Sequence, residues 1–337
     1  MVSKEITLAI DGDILVYRTA LAIQQDGYKL EIDGETHLFT SMLAVKKFLK
    51  SKNIALSSVN PIPAKVLKNK YESSAIYMLQ KMTNNIKAGV KTQINALGIF
   101  NFNLNVLMCI GGPENFRRDI PLFDKYKDRK EEKPIALEFV RELLAKLYSH
   151  DISQGVEADD RVSMFGFKGC KDMSFIAVSE DKDSKQTPMW LYIPRKNKLL
   201  LCKGFGEYEL IVKETIKDGK KKRTYKLEGH GRRWLYYQIV CGDPVDTYNP
   251  FKVPKYSDFK FYNIFKDIDN DKDCWSKIYQ LFYERYGNTT EYEDWKGIKH
   301  KGGVLEILQN YVDVVHMQRW ENDRLDVKAI LSSYGII

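Results

Sequence analysis

Between Glu5 and Ile10 the chain alternates, then closes on apolar residues that meet Asp11-Gly12-Asp13. The alternation and the abrupt polar stop predict a first strand with acids at its carboxyl end. Residues 13–22 read as a following helix. Residues 28–41 hold short β-like runs beside two aspartate–glycine pairs, Asp26-Gly27 and Asp33-Gly34, which predict a hairpin. A helix is expected over 41–51. Prolines and weak periodicity make 52–68 a loop. Ile76, Leu79, Met82 and Ile86 share one face of a long helix over 72–97. Val106 to Ile110 is a second strand, and 134–148 a helix with proline at its start. Ile152 begins a short strand ahead of a helix that opens near Glu157. Phe175 to Ser179 is a further strand. Residues 190–202 form a hairpin, and a second hairpin turns at Asp218-Gly219. Helices over 274–286 and 303–320 close the chain.

Strands alternating with helices predict an α/β fold with a mostly parallel central sheet flanked by helices. The hairpins are insertions, and the C-terminal part is mostly helical. Ligand sites of such sheets lie at the carboxyl ends of the strands.

Four acidic clusters sit at the edges of apolar runs. They are Asp11 with Asp13, then Glu157, Asp159 and Asp160 in GVEADDRV, then Asp181 with Asp183 in SEDKD, and Asp243 with Asp246 in GDPVDTY. Carboxylates brought together repel, and some must take up protons unless a cation sits among them. Oxygen-only clusters without His or Cys suit hard ions, Mg²⁺ or Mn²⁺. This many carboxylates exceed the needs of one ion. Two ions about 4 Å apart clamp an in-line displacement at phosphorus.

Composition narrows the partners. The net charge of +8 implies an anionic partner. A carboxylate-rich site in a basic chain suits a polyanion together with metal. The five cysteines are scattered without a CxxC, which predicts reduced core thiols, a cytoplasmic setting and no zinc site. None of the five histidines falls in a motif. No stretch is apolar for long enough to span a bilayer. The N-terminus reaches a strand and two acids almost at once, unlike a signal peptide.

The order of motifs resembles a known family. DGD after the first strand, the YK-x-R loop at Tyr126, Lys127 and Arg129, EADD, S-x-DKD and GD-x-x-D occur in this order in 5′ nucleases of the flap-endonuclease type, a PIN-like superfamily. The likeness is strongest to bacteriophage 5′→3′ exonucleases. It runs from Ile10 to about Tyr248 and implies a catalytic domain over 1–248 with a helical region over 249–337 packing on it. It implies two divalent metals held among Asp11, Asp13, Glu157, Asp159, Asp160, Asp181, Asp183, Asp243 and Asp246. Lys127 would meet the scissile phosphate, with Asp11 and Asp181 as the other catalytic side chains. Arg117, Arg118, Arg129, Lys130, Arg232 and Arg233 are expected phosphate contacts, and Tyr126 a base-stacking residue. The activity implied is Mg²⁺-dependent hydrolysis of duplex DNA at 5′ ends, nicks or flaps, or of RNA·DNA hybrids, by a monomer. The products would be 5′-phosphorylated, as in phage DNA replication or recombination.

Three departures from the family pattern stand out. Gly112 occupies the place of an expected second-strand Asp, with Glu114 the nearest replacement. The YK-x-R loop is one residue shorter than the commoner form. The glycine-rich helix–hairpin–helix that grips duplex through K⁺ is replaced by NPFKVPKYSDFKFYNIF. The short interval between Arg129 and Glu157 leaves little chain for a threading arch, which favours exonucleolytic attack on duplex ends.

Two other readings remain open. A haloacid-dehalogenase-type phosphatase would use Asp11 as a covalent nucleophile and Ser179 at a later strand end. That reading leaves EADD, the YK-x-R loop and the basic charge without a role. A DNA-binding member of the same fold with weakened catalysis would account for Gly112 and the missing glycine hairpin.

Overall fold

A computed structural model describes residues 3–128, 132–217, 220–251 and 255–337. β1 (Lys4–Asp11) passes directly into α1 (Gly12–Ile23). β2 (Gln24–Ile32), β3 (Glu35–Phe39), α2 (Met42–Ser51) and β4 (Ile62–Leu67) build a small inserted unit. Its three strands run in the order β3-β2-β4. The segment 52–68 therefore contains a strand where only a loop was expected, and Pro63 sits on it opposite Tyr28. The reversal comes at Asp33-Gly34, whereas Asp26-Gly27 lies within β2.

α3 (Tyr71–Ala96) and β5 (Phe102–Ile110) follow. The buried stripe of α3 is Ala75, Leu79, Thr83, Ile86, Val90 and Ile94, so Ile76 and Met82 lie at its margin. α4 (Leu137–Leu147), β6 (His150–Ile152), α5 (Ala158–Lys168), β7 (Phe175–Val178), β8 (Met189–Ile193) and β9 (Lys198–Cys202) complete the central body. The six-stranded sheet has the order β6-β5-β1-β7-β8-β9. Every pairing is parallel except that of the edge strand β9. β1 thus lies between β5 and β7, where the chain reverses its direction of winding, and that crevice is the usual ligand position in such sheets.

Period-two alternation divides the strands between two layers. Ile6, Leu8 and Ile10 share a core with α1, α3 and α4. Ala9, Cys109 and Ala177 face Val162 of α5 on the other side.

β10 (Glu207–Lys217) and β11 (Lys220–His230) form the second hairpin, whose turn at 218–219 lies outside the described residues. α6 (Arg232–Cys241), α7 (Asp258–Phe265), α8 (Asp271–Tyr286), β12 (Thr290–Glu293), β13 (Lys299–Gly302), α9 (Val304–Val315) and α10 (Val327–Ser333) make the rest. α6 is buried on every side from Trp234 to Cys241. One core joins Leu122, Leu235 and Ile307, so residues on both sides of position 248 pack together. Among the described residues, no helix is long and apolar enough to cross a membrane.

Candidate metal centre

The end of β1 delivers Asp11, 5 % exposed, whose Oδ1 accepts the Asp13 amide at 3.0 Å. β7, next to it, leads into a turn that brings up Ser179, Asp181 and Asp183. The Asp181 amide donates to Ser179 Oγ at 3.0 Å, and the Asp183 amide to Asp181 Oδ1 at 2.7 Å. Glu157 caps α5, whose first turn carries Asp159. Asp243 and Asp246 follow the end of α6, where Asp243 pairs through its backbone with Tyr248. One carboxylate oxygen each of Asp183, Asp243 and Asp246 lies within 4.8 Å of the others. The Gln238 side-chain amide donates to Asp183.

The electrostatics divide the acids into two overlapping groups. Burial, then Asp13 and Asp181, pushes the Asp11 carboxyl up to about 7. Burial, then Asp11, Asp181 and Glu157, raises Asp159 well above the carboxylate range. Burial and then Asp181 raise Asp183 likewise, with Asp243 and Asp246 adding to it. Asp181 acts on both groups. Crowded, dehydrated carboxylates cannot all ionise unless a cation sits among them. All-oxygen ligands in this number fit hard divalent cations.

Three cations reach in from the rim. Lys127 Nζ lies 2.5 Å from Glu157 Oε1 and 3.9 Å from Asp246 Oδ2. Burial disfavours its charge, but Glu157 and Asp246 outweigh that and raise its pKa. Its backbone is left-handed at φ 53°, a conformation that costs a non-glycine residue about 1–3 kcal/mol. The Lys127 amide donates to the Asp246 carbonyl at 2.9 Å, which holds it there. Lys182 Nζ lies 2.9 Å from Asp243. Arg141 approaches Asp13 at 3.7 Å and donates to the Gly111 carbonyl at 2.9 Å. These groups line a groove of about 1150 Å³, whose walls also carry Arg118, Glu114 and Tyr17.

The β5 edge explains the missing acid. A Cβ on Gly112 would lie 2.0 Å from the Ser153 carbonyl, so no side chain fits there on this backbone. A Cβ on Gly111 would meet Asp13 Oδ2 at 2.4 Å. Asp13 itself fills that space, accepting the Gly111 amide at 3.2 Å. Glu114 is exposed on the groove wall.

No protein family, curated protein or solved structure matches this chain.

The expected residues thus separate. Asp11, Asp13, Glu157, Asp159 and Asp181 line the groove, and Asp183, Asp243 and Asp246 form the adjoining cluster. Asp160 does not join them. It is 0 % exposed and points inward, where Arg117 Nη1 and Nη2 donate to it at 2.5 and 2.9 Å. The Gln318 and Glu157 amides saturate the same carboxylate. Arg117, 1 % exposed, is therefore an interior residue and not a phosphate contact. Tyr126 is 6 % exposed, and its hydroxyl bonds Glu157 at 3.1 Å and Asp246 at 3.4 Å, so no ring face is free for stacking. Arg232 pairs with Asp271 at 2.8 Å. Arg233 lies over the Phe205 and Tyr208 rings and donates to the Ile268 carbonyl. Both arginines hold the C-terminal body together rather than line the groove. Arg118 does line it. Arg129 and Lys130 lie outside the described residues.

Lys182, Arg141 and Gln238 were not expected at the site. Each reaches an acid distant in sequence, and no local spacing encodes that. Lys182 alone carried a signal, because it sits inside SEDKD between two of the acids.

Proposed function

We propose that this chain is a divalent-metal-dependent 5′ nuclease with a PIN-like body, acting exonucleolytically on the phosphodiester bonds of duplex DNA. The observation that carries this reading is the meeting of Asp11, Asp159, Asp181, Asp183, Asp243 and Asp246 beside Lys127 at the reversal point of the sheet. One cation would be held by Asp11, Asp13, Glu157, Asp159 and Asp181, a second by Asp183, Asp243 and Asp246 with Asp181 between them. When bound, the cations supply Lewis acidity to the scissile phosphate and to the attacking water.

The chain's own residues do the rest. Lys127 offers positive charge at the groove wall, where charge grows on the phosphoryl oxygens. Its partner Glu157 keeps it extended toward the acids. Arg118 and Lys182 provide further cationic wall. Phosphate contacts of this kind read structure rather than sequence. The 3′ oxygen leaves and the product keeps its 5′ phosphate. RNA·DNA hybrids present the same backbone and are a second candidate substrate.

The test is release of 5′-phosphorylated nucleotides from blunt, nicked and 5′-flap DNA in Mg²⁺, with Asp181→Asn beside the wild type. Release from duplex ends that the variant loses while still binding DNA is the expected result. A variant that cleaves at the wild-type rate would overturn the assignment, and strong preference for long flaps would overturn the exonucleolytic mode. A binding-only role draws support from Gly112, and DNA binding without any release would establish it. Asp13, filling the space beside Gly111, supports catalysis instead.

A further inference from the structure

Strands β10 and β11 run for 11 residues each and, among the described residues, join no other sheet. Two-stranded ribbons are marginal alone, and among the described residues this one is anchored at its base. There Leu227 enters the C-terminal core, its amide donates to Asp258 at 2.7 Å, and the Tyr225 and Phe259 rings lie 4.4 Å apart. Beyond this anchor, residues 213–216 and 221–224 are exposed, Ile216 at 76 %.

The pleat sorts the ribbon into two faces, and cross-strand partners share a face. Lys226 with Ile211, Thr224 with Lys213 and Lys222 with Thr215 form one face. Tyr225 with Val212, Arg223 with Glu214 and Lys221 with Ile216 form the other. On the second face Arg223 is occupied by Glu214 at 2.7 Å. Among the described residues, Lys213 and Lys222 on the first face have no carboxylate partner, nor has Lys221 on the second.

The lysine face runs into the groove. At its root Glu228 accepts from Lys226, Lys185 and Lys196 at 2.7, 3.0 and 3.1 Å. These groups line the same groove as Asp11 and Asp181. Three cations around Glu228, with Glu209 opposite it on the same face, still leave surplus positive charge at the root.

We propose that this lysine face is an arm that binds the phosphate backbone of duplex DNA lying along it as it leaves the groove. The proposal rests on the nuclease reading of the groove. A strand rises about 3.3 Å per residue, which places Lys222 about 20 Å out from Glu228. Duplex rises 3.4 Å per base pair, so Lys222 meets phosphates about six base pairs further out than Glu228. Lysine contacts to phosphate give grip independent of sequence.

The test is binding of a duplex of about 25 base pairs in EDTA across a salt series, where each lost phosphate contact lowers the log–log slope by about 0.9. Lys213→Ala combined with Lys222→Ala should flatten the slope by about 2 and weaken low-salt binding about tenfold. Lys221→Ala combined with Arg223→Ala, on the opposite face, should leave both unchanged. Equal losses from the two pairs, or an unchanged slope in the first, overturn the arm while the cleavage assay still decides the nuclease reading. Failure of the wild type both to bind and to cleave duplex overturns the two together.

Discussion

The Arg117 guanidinium meets the Asp160 carboxylate side by side in the interior, through hydrogen bonds of 2.5 and 2.9 Å. Arg117 also donates to the carbonyls of Val314 and His316 at 2.8 Å. The pair therefore ties the end of α9 to the start of α5, where Glu157 is the cap and Asp159 lies in the first turn.

Arg117→Met should leave Asp160 charged, buried and unpaired. The expected loss is about 3–5 kcal/mol of stability. It is read as a lower denaturant midpoint, and Arg117→Met combined with Asp160→Leu should recover much of it. A variant as stable as the wild type but weaker in DNA binding would restore Arg117 to the phosphate contacts.

Gly112→Asp, the change that would bring the sequence closest to the family pattern, should not create a ligand. Its Cβ has no room beside the Ser153 carbonyl. The variant should lose about 3 kcal/mol, the upper end for overpacking. Thermal melts and Mg²⁺ titration check this, and tighter Mg²⁺ binding would contradict it.

The metal-free protein should become less stable as pH rises. Asp11 has a folded pKa above its ordinary 3.8, pushed to about 7 by burial and then by Asp13 and Asp181. The folded state thus binds more protons than the unfolded chain, and stability from this group is present below 3.8 and lost as pH passes about 7. Asp159 and Asp183 act in the same sense. In EDTA the melting temperature should fall across that interval, and Mg²⁺ should restore more of it at the top than at the bottom. Asp11→Asn should flatten both trends.

Lys127→Met should lower the single-turnover rate by about 10²–10³ while changing duplex affinity in Ca²⁺ little. Lys127→Arg should keep part of the rate. Equal losses in affinity and rate would make Lys127 a binding residue only.

Much of the central body was legible because each strand ends abruptly on polar residues: β1 at Asp11, β7 at the Ser179 turn. Neighbours of the same type were not separable. Asp159 and Asp160 are adjacent on a helix, about 100° apart around its axis, so one lines the groove and the other faces Arg117. Arg117 and Arg118 divide in the same way. β4 was hidden by prolines, which an edge strand tolerates. α6 was hidden because apolar and aromatic residues surround it on every side, leaving no amphipathic period to read.

α6 also leaves no safe place to cut the chain. A fragment stopped at Tyr248 would keep every acid of the centre, yet it would strip α7, α8 and α9 from the outside of that helix. Trp234, Tyr236 and Tyr237 would become a bare oily flank, prone to clumping. Gln238, which braces Asp183, would sit on a shaft without its housing. Shortened versions would then fail by precipitating, with their ligand residues all present.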